Sequence, residues 1–397
     1  MLYHDSTKDQ LSIYKKGNGK KMKKRIILRV FATIMAVTLT AAGVAGCNVN
    51  DQSSDPVEVP QEIKNDEAVT LANTQNDEPE QPQNDINAKA IVIVWYPNES
   101  AGDYEESRNE LGRLIEQATG RSVEHRLTTD YVIAIESIAS GAADIGAVFG
   151  AVGLIEAQQR NAEVQPLVVN TGASGTLDDA VYYAWLCVNE GEEDQYRSDV
   201  GFSLDNIQGK RMSFVSSSST SGFRVPSSGI IKHFSQTAEW SDIDEDDILG
   251  LGSKPFFSEV LFGESHQGSL FNLIDDRADI AAVCDTSVDA YIERISGEHN
   301  TLGAVYAIQQ DAAAPFEDAG GQRFVLIGVV PVLNGPIVYN PLNLSNNEVQ
   351  AIRDILTSDD TANNPLIFGE EGEFSFHIKR GDDRYAVADN SWYDPLR

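Results

Sequence analysis

A run of hydroxyl side chains at residues 216–226 is the part of the sequence best suited to hold an anion. It reads Ser-Ser-Ser-Ser-Thr-Ser-Gly-Phe-Arg-Val-Pro and joins a strand-like stretch to a helix-like stretch. At such a junction, hydroxyls and the free N–H groups of the first helical turn converge at the positive end of the helix dipole. A tetrahedral oxyanion stripped of water needs several donors of this kind. The alternative is a flexible serine-rich loop that only caps the helix.

The elements that must position this loop alternate between strands and helices. In the first half, the pattern predicts strands at 90–95, 122–127, 143–149 and 164–169, separated by helices at 104–119, 131–140 and 152–161. In the second half it predicts strands at 211–215 and 279–284 and helices at 225–234 and 270–277. This alternation is typical of βαβ units around a parallel sheet.

Two stretches of the sequence echo each other. Residues 141–148 and 276–283 both run from a helix end through a small residue and Asp-Ile into small apolar residues. Such an echo favours two similar α/β lobes over a short-period solenoid. Because ligands of open α/β sheets bind beyond the carboxyl ends of the strands, the pattern predicts a ligand cleft between the lobes.

The N-terminal region predicts export. Basic residues at 23–25 precede an apolar stretch at 26–39. The stretch is too short and interrupted for a transmembrane helix of about 20 residues, but it has the layout of a secretory signal. Val44-Ala-Gly-Cys47 follows and resembles the lipobox of bacterial lipoproteins, whose cysteine is diacylated. We expect residues 1–46 to be a lipoprotein signal peptide and Cys47 to carry the lipid; the alternative is an ordinary signal peptide.

Residues 47–88 are expected to form an acidic, disordered linker. The stretch is rich in Asp, Glu, Asn and Gln, contains four prolines and has no apolar periodicity. It therefore cannot bury enough apolar surface to offset the entropy of ordering. Repulsion between like charges keeps it extended, so it would tether the folded part to the lipid.

The acidic balance of the chain excludes one class of partner. Lys and Arg number 30 against 61 Asp and Glu, a formal net charge of −31, and removal of the basic leader would make the chain more acidic. Nucleic-acid binding needs a basic footprint, so we predict no nucleic-acid partner. The charge also argues against docking on anionic lipid headgroups.

Two cysteines follow Cys47, and we expect both to be buried free thiols. Cys187 and Cys284 each lie in an apolar, strand-like run, and we place them in different lobes. A disulfide is the alternative in an exported protein. No Cys–His spacing suggests zinc, and we expect no metal and no cofactor.

Several motifs, taken in order, resemble one family. Ser219-Thr-Ser-Gly-Phe223, followed by Pro226, is similar to the Ser-Thr-Ser-Gly-aromatic motif of the phosphate-, phosphite- and phosphonate-binding proteins of ABC importers. Further matches are Trp95-Tyr-Pro97, Thr129-Asp-Tyr131, Asp144 to Gly150, Asp205 to Arg211, Gly263 to His266 and Trp392 to Pro395. Together they extend the resemblance over residues 90–397.

The resemblance implies a two-lobed α/β fold of the type II periplasmic-binding-protein class. Each lobe would be a mainly parallel sheet flanked by helices, and two hinge segments would join the lobes. We expect lobe 1 to comprise residues 89–199 and 305–397, and lobe 2 to comprise residues 200–304.

The resemblance also implies the residues that contact the ligand. The phosphorus oxyanion would be held by Ser219, Thr220, Ser221 and His266. Tyr131 and Phe149 would wall the pocket, with Tyr131 offering its hydroxyl, and Asp285 would meet the variable part of the ligand.

The sequence leaves the identity of the phosphorus compound open. Many members of the family have an acidic residue before a proline that is here preceded by Asn334 and Gly335. This difference weakens the case for a ligand that bears an ammonium group. Phosphite, methylphosphonate and phosphate therefore compete with aminoalkyl phosphonates.

The implied function is an extracytoplasmic solute-binding lipoprotein that captures a phosphorus oxyanion and delivers it to an ABC importer permease. We expect a monomer, lipid-anchored to the outer face of the cell membrane or in the periplasm. The alternative is a sensor or surface protein of the same fold for another small solute. A hydrolase could combine the serine loop with His266 and Asp285, but the Gly-x-Ser-x-Gly elbow is absent and we expect no catalysis.

Overall fold

The computed structural model describes residues 89–98, 102, 104–199, 201–370 and 373–397. These residues belong to one compact unit of the chain. The predicted signal peptide, Cys47 and the acidic linker lie outside the described residues. Within that part of the chain, no helix is long and apolar enough to cross a membrane.

Strands and helices alternate along most of the chain. The strands are β1 (Ile91–Trp95), β2 (Val123–Leu127), β3 (Ile145–Ala147), β4 (Gln165–Asn170), β5 (Val181–Asn189), β6 (Arg197–Ser198), β7 (Gly201–Phe202), β8 (Arg211–Phe214), β9 (Glu259–Phe262), β10 (Ile280–Cys284), β11 (Ile292–Ser296), β12 (Val305–Ile308), β13 (Arg323–Leu333), β14 (Pro336–Tyr339), β15 (Phe368–Gly369), β16 (His377–Ile378) and β17 (Tyr385–Ala386). The α-helices are α1 (Glu105–Thr119), α2 (Tyr131–Ser140), α3 (Ala151–Arg160), α4 (Val225–Phe234), α5 (Glu245–Ile248), α6 (His266–Ile274), α7 (Asp285–Val288), α8 (Asn346–Leu356) and α9 (Asp359–Ala362).

Helix boundaries follow local signals in the sequence. The side chain of Asp130 accepts a hydrogen bond of 2.6 Å from the Val132 N–H and so caps the start of α2. The helix ends at Gly141, which adopts the left-handed conformation at φ 75° that glycine enters at little cost. These two signals confirm the helix predicted at 131–140, and α4 likewise coincides with the helix predicted at 225–234.

The first sheet has six strands in the order β17-β4-β14-β3-β1-β2. β1 pairs in parallel with β2 and β3, as the βαβ pattern predicted, and it is buried along its whole length. Side chains alternate between the faces of a strand, so Ile91 and Ile93 pack into one core cluster with helix α8, whereas Val92 and Val94 pack into another with α2. We call the half of the molecule built on this sheet lobe 1.

The second sheet has seven strands in the order β11-β12-β13-β5-β10-β8-β9. β8 pairs in parallel with β9 and β10, whereas β5 pairs antiparallel with β10 and β13. In the first sheet β14 is also antiparallel to its neighbours. Both sheets are therefore mixed, and the prediction of mainly parallel sheets missed the antiparallel strands that connect them. We call the half built on the second sheet lobe 2.

The chain passes between the two sheets twice. It leaves β4 through residues 171–180 and returns from β13 through Asn334 and Gly335. The Asn334 N–H donates to the Ala180 carbonyl oxygen at 3.0 Å, and the Asn334 side chain donates to the Asn170 carbonyl oxygen at 2.8 Å. The two crossings therefore lie side by side and are bonded to each other.

The predicted lobe boundaries at 199/200 and 304/305 disagree with the sheet membership. β5, β12 and β13 pair within the second sheet, although the predicted boundaries assigned them to lobe 1. Their membership depends on pairings between distant positions, such as Val325 opposite Val188. No local pattern in the sequence carries that information.

The two similar stretches, residues 141–148 and 276–283, make the same structural contact, one in each lobe. Asp144 precedes β3, accepts a hydrogen bond of 2.8 Å from the Val92 N–H and donates its own N–H to the Val92 carbonyl. Asp279 precedes β10 and makes the same two contacts with Arg211, at 2.7 and 2.9 Å. Each aspartate thus fixes the start of one strand to the start of its parallel neighbour.

Cys187 and Cys284 are both buried free thiols, as predicted, but they are not in different lobes. They lie on the adjacent strands β5 and β10, where Cys187 is opposite Ala281. Cys284 is three residues further along β10, about 10 Å at 3.3 Å per residue and on the other face of the sheet. That separation exceeds the span of a disulfide.

We expect Asp144→Ala to lower the free energy of unfolding by about 2–3 kcal/mol, because the buried Val92 N–H would lose its partner. Urea denaturation would measure the change. Glu136→Ala is the control, since this exposed side chain should contribute less than about 0.5 kcal/mol. Equal effects of the two substitutions would contradict the conclusion that Asp144 fixes the start of β3 to the start of β1.

Candidate ligand-binding site

A cavity of about 110 Å³ lies where the strands of both lobes end. Trp95 and Ala147 close β1 and β3 on one side, and Cys284 closes β10 on the other; all three line the cavity. The predicted site residues that line it are Tyr131, Phe149, Ser219, Thr220, Ser221 and His266. The fold thus brings together side chains from distant parts of the sequence.

Asp285 is the predicted site residue that does not line the cavity. Its buried carboxylate accepts hydrogen bonds from the Tyr183 N–H at 2.9 Å and from the Asn300 side chain at 3.1 Å. Burial raises the pKa of Asp285. The carboxylate turns back toward β5 and ties it to the end of β10, so the structure does not bring Asp285 together with the other predicted site residues at the cavity.

The serine-rich segment both caps a helix and lines the cavity. Ser219 precedes a π-helical turn, Thr220–Arg224, that leads into α4, and its hydroxyl accepts a hydrogen bond of 3.1 Å from the Gly222 N–H. Ser219, Thr220 and Ser221 are each 2–3% exposed. A hydroxyl that accepts from the backbone still has its own proton to donate.

Thr220 reaches across to lobe 1. Its hydroxyl oxygen accepts a hydrogen bond of 3.0 Å from the Val152 N–H, in the first turn of α3. A Cβ atom at Gly150 would lie 2.5 Å from the Thr220 hydroxyl oxygen. Glycine at position 150 is therefore required for this close approach between the lobes.

Tyr182 is a residue of the site that the sequence prediction missed. It lies at the start of β5 and lines the cavity, with its hydroxyl near the side chains of Ser221 and Thr220. Burial raises the pKa of Tyr182, so the phenol stays protonated. Its position follows from the pairing of β5 with β10 and β13, for which the local sequence gives no signal.

His266 is a neutral hydrogen-bond donor. It begins α6 and is 3% exposed, and its Nδ1 accepts a hydrogen bond of 3.0 Å from the Cys284 N–H. Burial lowers the pKa of His266 to about 3. Because Nδ1 is an acceptor, the single proton of the neutral ring resides on Nε2.

A stack of aromatic rings forms one wall of the cavity. Tyr96 lies between Tyr131 and Phe149, with ring centroids at 4.2 and 4.3 Å. The Tyr131 hydroxyl donates to the side-chain oxygen of Asn98, which also lines the cavity. The hydroxyl proton of Tyr131 is therefore donated to Asn98 and not into the cavity. The neighbouring group that can donate is the side-chain amide nitrogen of Asn98.

The cavity attracts negative charge through dipoles. None of the described residues that line it is an acid, a lysine or an arginine. Gly150, the N-cap of α3, His266, the first residue of α6, and Ser219, which precedes the turn into α4, all line it, and helix N-termini carry partial positive charge. The arrangement can hold a small anion by hydrogen bonds from neutral groups.

The sequence model of one protein family, "ABC transporter, phosphonate, periplasmic substrate-binding protein", matches residues 93–393, well over half of the chain. The chain belongs to this family. Its members are substrate-binding transport proteins, and the family places the chain outside the cytoplasm.

The chain is similar to one curated relative within the family. Phosphate-import protein PhnD of Mycolicibacterium smegmatis is 26% identical over 204 residues, which cover 51% of this chain and 57% of that protein. The chain thus spans little more than half the length of that relative.

Two solved structures of the family have a similar fold. A binding protein component of an ABC phosphonate transporter from Pseudomonas aeruginosa has a TM-score of 0.54 and 17% identity, over 78% of this chain and 85% of that one. PhnD1 from Prochlorococcus marinus, in complex with methylphosphonate, has a TM-score of 0.54 and 12% identity, over 78% and 96%. The likeness confirms the predicted two-lobed type II periplasmic-binding-protein fold.

We expect the stability of the protein to fall as the pH drops from about 6.5 toward 3, partly through His266. The unfolded state gains a proton near pH 6.5, whereas the buried ring resists protonation until about pH 3. The contribution of His266 to the free energy of unfolding is fully present above pH 6.5. Below that pH it is lost by about 1.4 kcal/mol per pH unit. Urea denaturation at several pH values should give a shallower slope for His266→Gln than for the wild type. Parallel slopes would mean that His266 titrates normally.

Proposed function

We propose that the chain captures a phosphorus oxyanion, a phosphonate, phosphite or phosphate, between its two lobes and delivers it to the permease of an ABC importer. The observation that carries the proposal is the convergence of the Ser219–Ser221 turn and His266 with Gly150, the N-cap of α3, at one cavity. These groups are neutral hydrogen-bond donors, which suit a desolvated tetrahedral anion.

The proposed site assigns a task to each donor. The hydroxyls of Ser219, Thr220 and Ser221 and the Nε2–H of His266 would bond to the oxygens bound to phosphorus. Tyr182 would hold the Ser221 hydroxyl in position from β5. Because burial keeps His266 neutral, the ligand would be bound through hydrogen bonds to donors of fixed orientation, with no cation in contact.

Closure of the lobes would accompany binding. The two crossing segments are short and bonded to each other, which is the geometry of a hinge. Thr220 in lobe 2 already accepts a hydrogen bond from the Val152 N–H in lobe 1 beside the cavity. An oxyanion that satisfies donors on both sides would stabilise the closed form over the open one.

The N-terminal region completes the proposal. Cys47 would carry two acyl chains, which hold a protein to a membrane where a single chain is marginal. The acidic linker would let the binding domain reach the permease as a monomer. The protein would then work on the outer face of the cell membrane or in the periplasm.

Calorimetric titration of the chain from residue 48 onward tests ligand binding. Phosphate, phosphite, methylphosphonate and 2-aminoethylphosphonate are the ligands, with sulfate as the control anion. We expect at least one phosphorus compound to bind, and Thr220→Ala to weaken its binding about 5- to 150-fold, the cost of one unsatisfied buried polar group.

The control for this substitution is Ser217→Ala. Ser217 belongs to the same serine run but does not line the cavity, so its loss should leave affinity unchanged. No binding of any phosphorus compound would overturn the proposal. Unchanged affinity in Thr220→Ala would remove the turn from the site.

Cell fractionation tests the anchor. In a bacterial host we expect the wild-type chain in the membrane fraction and Cys47→Ser in the soluble, extracytoplasmic fraction, because the lipid cannot be attached. Cys187→Ser, at a buried cysteine of β5, is the control and should stay with the membrane. Retention of Cys47→Ser in the membrane would refute the lipoprotein prediction.

A further inference from the structure

The cavity continues past the proposed oxyanion site into lobe 1. We call this continuation the aromatic arm and define it by Trp95, Tyr104, Phe376, His377 and Tyr385, which line the same cavity as the serine turn. Phe376, His377 and Tyr385 come from the C-terminal part of the chain. The proposed oxyanion site uses none of the five side chains.

Ring stacking builds the aromatic arm. Phe376 stacks on Trp95 with ring centroids 5.3 Å apart and planes 23° apart, and Tyr104 lies parallel to Phe376 at 6.4 Å. The Ser107 hydroxyl donates to the Phe374 carbonyl at 2.9 Å and holds the segment that carries Phe376 against α1. Phe376 therefore packs against both Trp95 and Tyr104.

The polar atoms of the arm are paired with each other or with lobe 1. His377 Nε2 and the Tyr385 hydroxyl are 2.9 Å apart, and the Trp95 Nε1–H donates to His125 Nδ1 at 3.2 Å. Burial lowers the pKa of His377 to about 3, so the ring is neutral. The arm thus offers apolar surface and no charged side chain of the described residues.

We propose that the aromatic arm is a subsite for the organic substituent of the ligand, and that it takes a short neutral alkyl or aryl group in preference to a cationic one. The inference rests on the proposed function, since the substituent can enter the arm only when the oxyanion occupies the serine turn. Burial of each methylene should strengthen binding about fourfold. A buried ammonium would lack a carboxylate partner among the described residues that line the cavity.

Titration with three phosphonates tests the inference. Methylphosphonate reports on the oxyanion site, whereas propylphosphonate and 2-aminoethylphosphonate have nearly the same shape and differ in a terminal methyl or ammonium group. We expect propylphosphonate to bind about tenfold more tightly than methylphosphonate and at least tenfold more tightly than 2-aminoethylphosphonate. Equal or tighter binding of 2-aminoethylphosphonate would overturn the proposal, as would equal binding of the methyl and propyl compounds.

Substitution of Phe376 localises the effect. Phe376→Ala should reduce the preference for propylphosphonate over methylphosphonate by about tenfold, and Phe376→Leu, which disturbs packing less, by a smaller factor. The control is Phe374→Ala, because Phe374 packs on Tyr104 and Tyr291 and does not line the cavity. An unchanged preference in both Phe376 variants would place the substituent elsewhere.

The two proposals fail in different ways. If the wild-type chain binds none of the three phosphonates nor phosphate or phosphite, the proposed function is wrong. If methylphosphonate binds but the propyl group adds nothing, the oxyanion site stands and the aromatic arm has no role in binding.

Discussion

The contact between the two crossing segments is the constraint on which the site depends. Asn334 bonds to Ala180 through its backbone and to Asn170 through its side chain, and its carbonyl accepts from the Tyr393 hydroxyl at 3.2 Å. These three hydrogen bonds fix the positions of the strand ends of both lobes. Because Asn334 also lines the cavity, the same residue belongs both to the contact between the crossing segments and to the cavity wall.

The chain carries a large negative net charge, whereas its cavity is lined by neutral side chains of the described residues. A net charge of −31 provides no long-range attraction for an anion, since steering requires a surface of opposite sign. Affinity for the proposed oxyanion would therefore come from short-range donors, and burial makes each hydrogen bond stronger than it would be in water. The neutral state of His266 fits this design, because a donor without a charge has a smaller desolvation cost than a cation.

Local signals in the sequence predicted much of the fold and part of the site. The cap at Asp130 and the glycine at 141 fixed a helix, and the serine turn could be recognised because its hydroxyls are adjacent in the chain. Tyr182 escaped prediction, and the bond of Asp285 to β5 could not be foreseen, because both depend on how β5 pairs with β10. The lobe boundaries failed for the same reason: sheet membership is set by contacts between distant residues.

Thr220 shows how ligand binding and lobe closure can share one group. Its hydroxyl oxygen accepts from the Val152 N–H of lobe 1, so its own proton can be donated to Tyr182 or to a ligand in the cavity. Hydrogen bonds in such a chain polarise one another, so a ligand that accepts this proton would strengthen the contact between the lobes. A bulkier residue at Gly150 would separate the lobes before the bond could form. Selectivity and closure would then be two consequences of the same hydrogen bond.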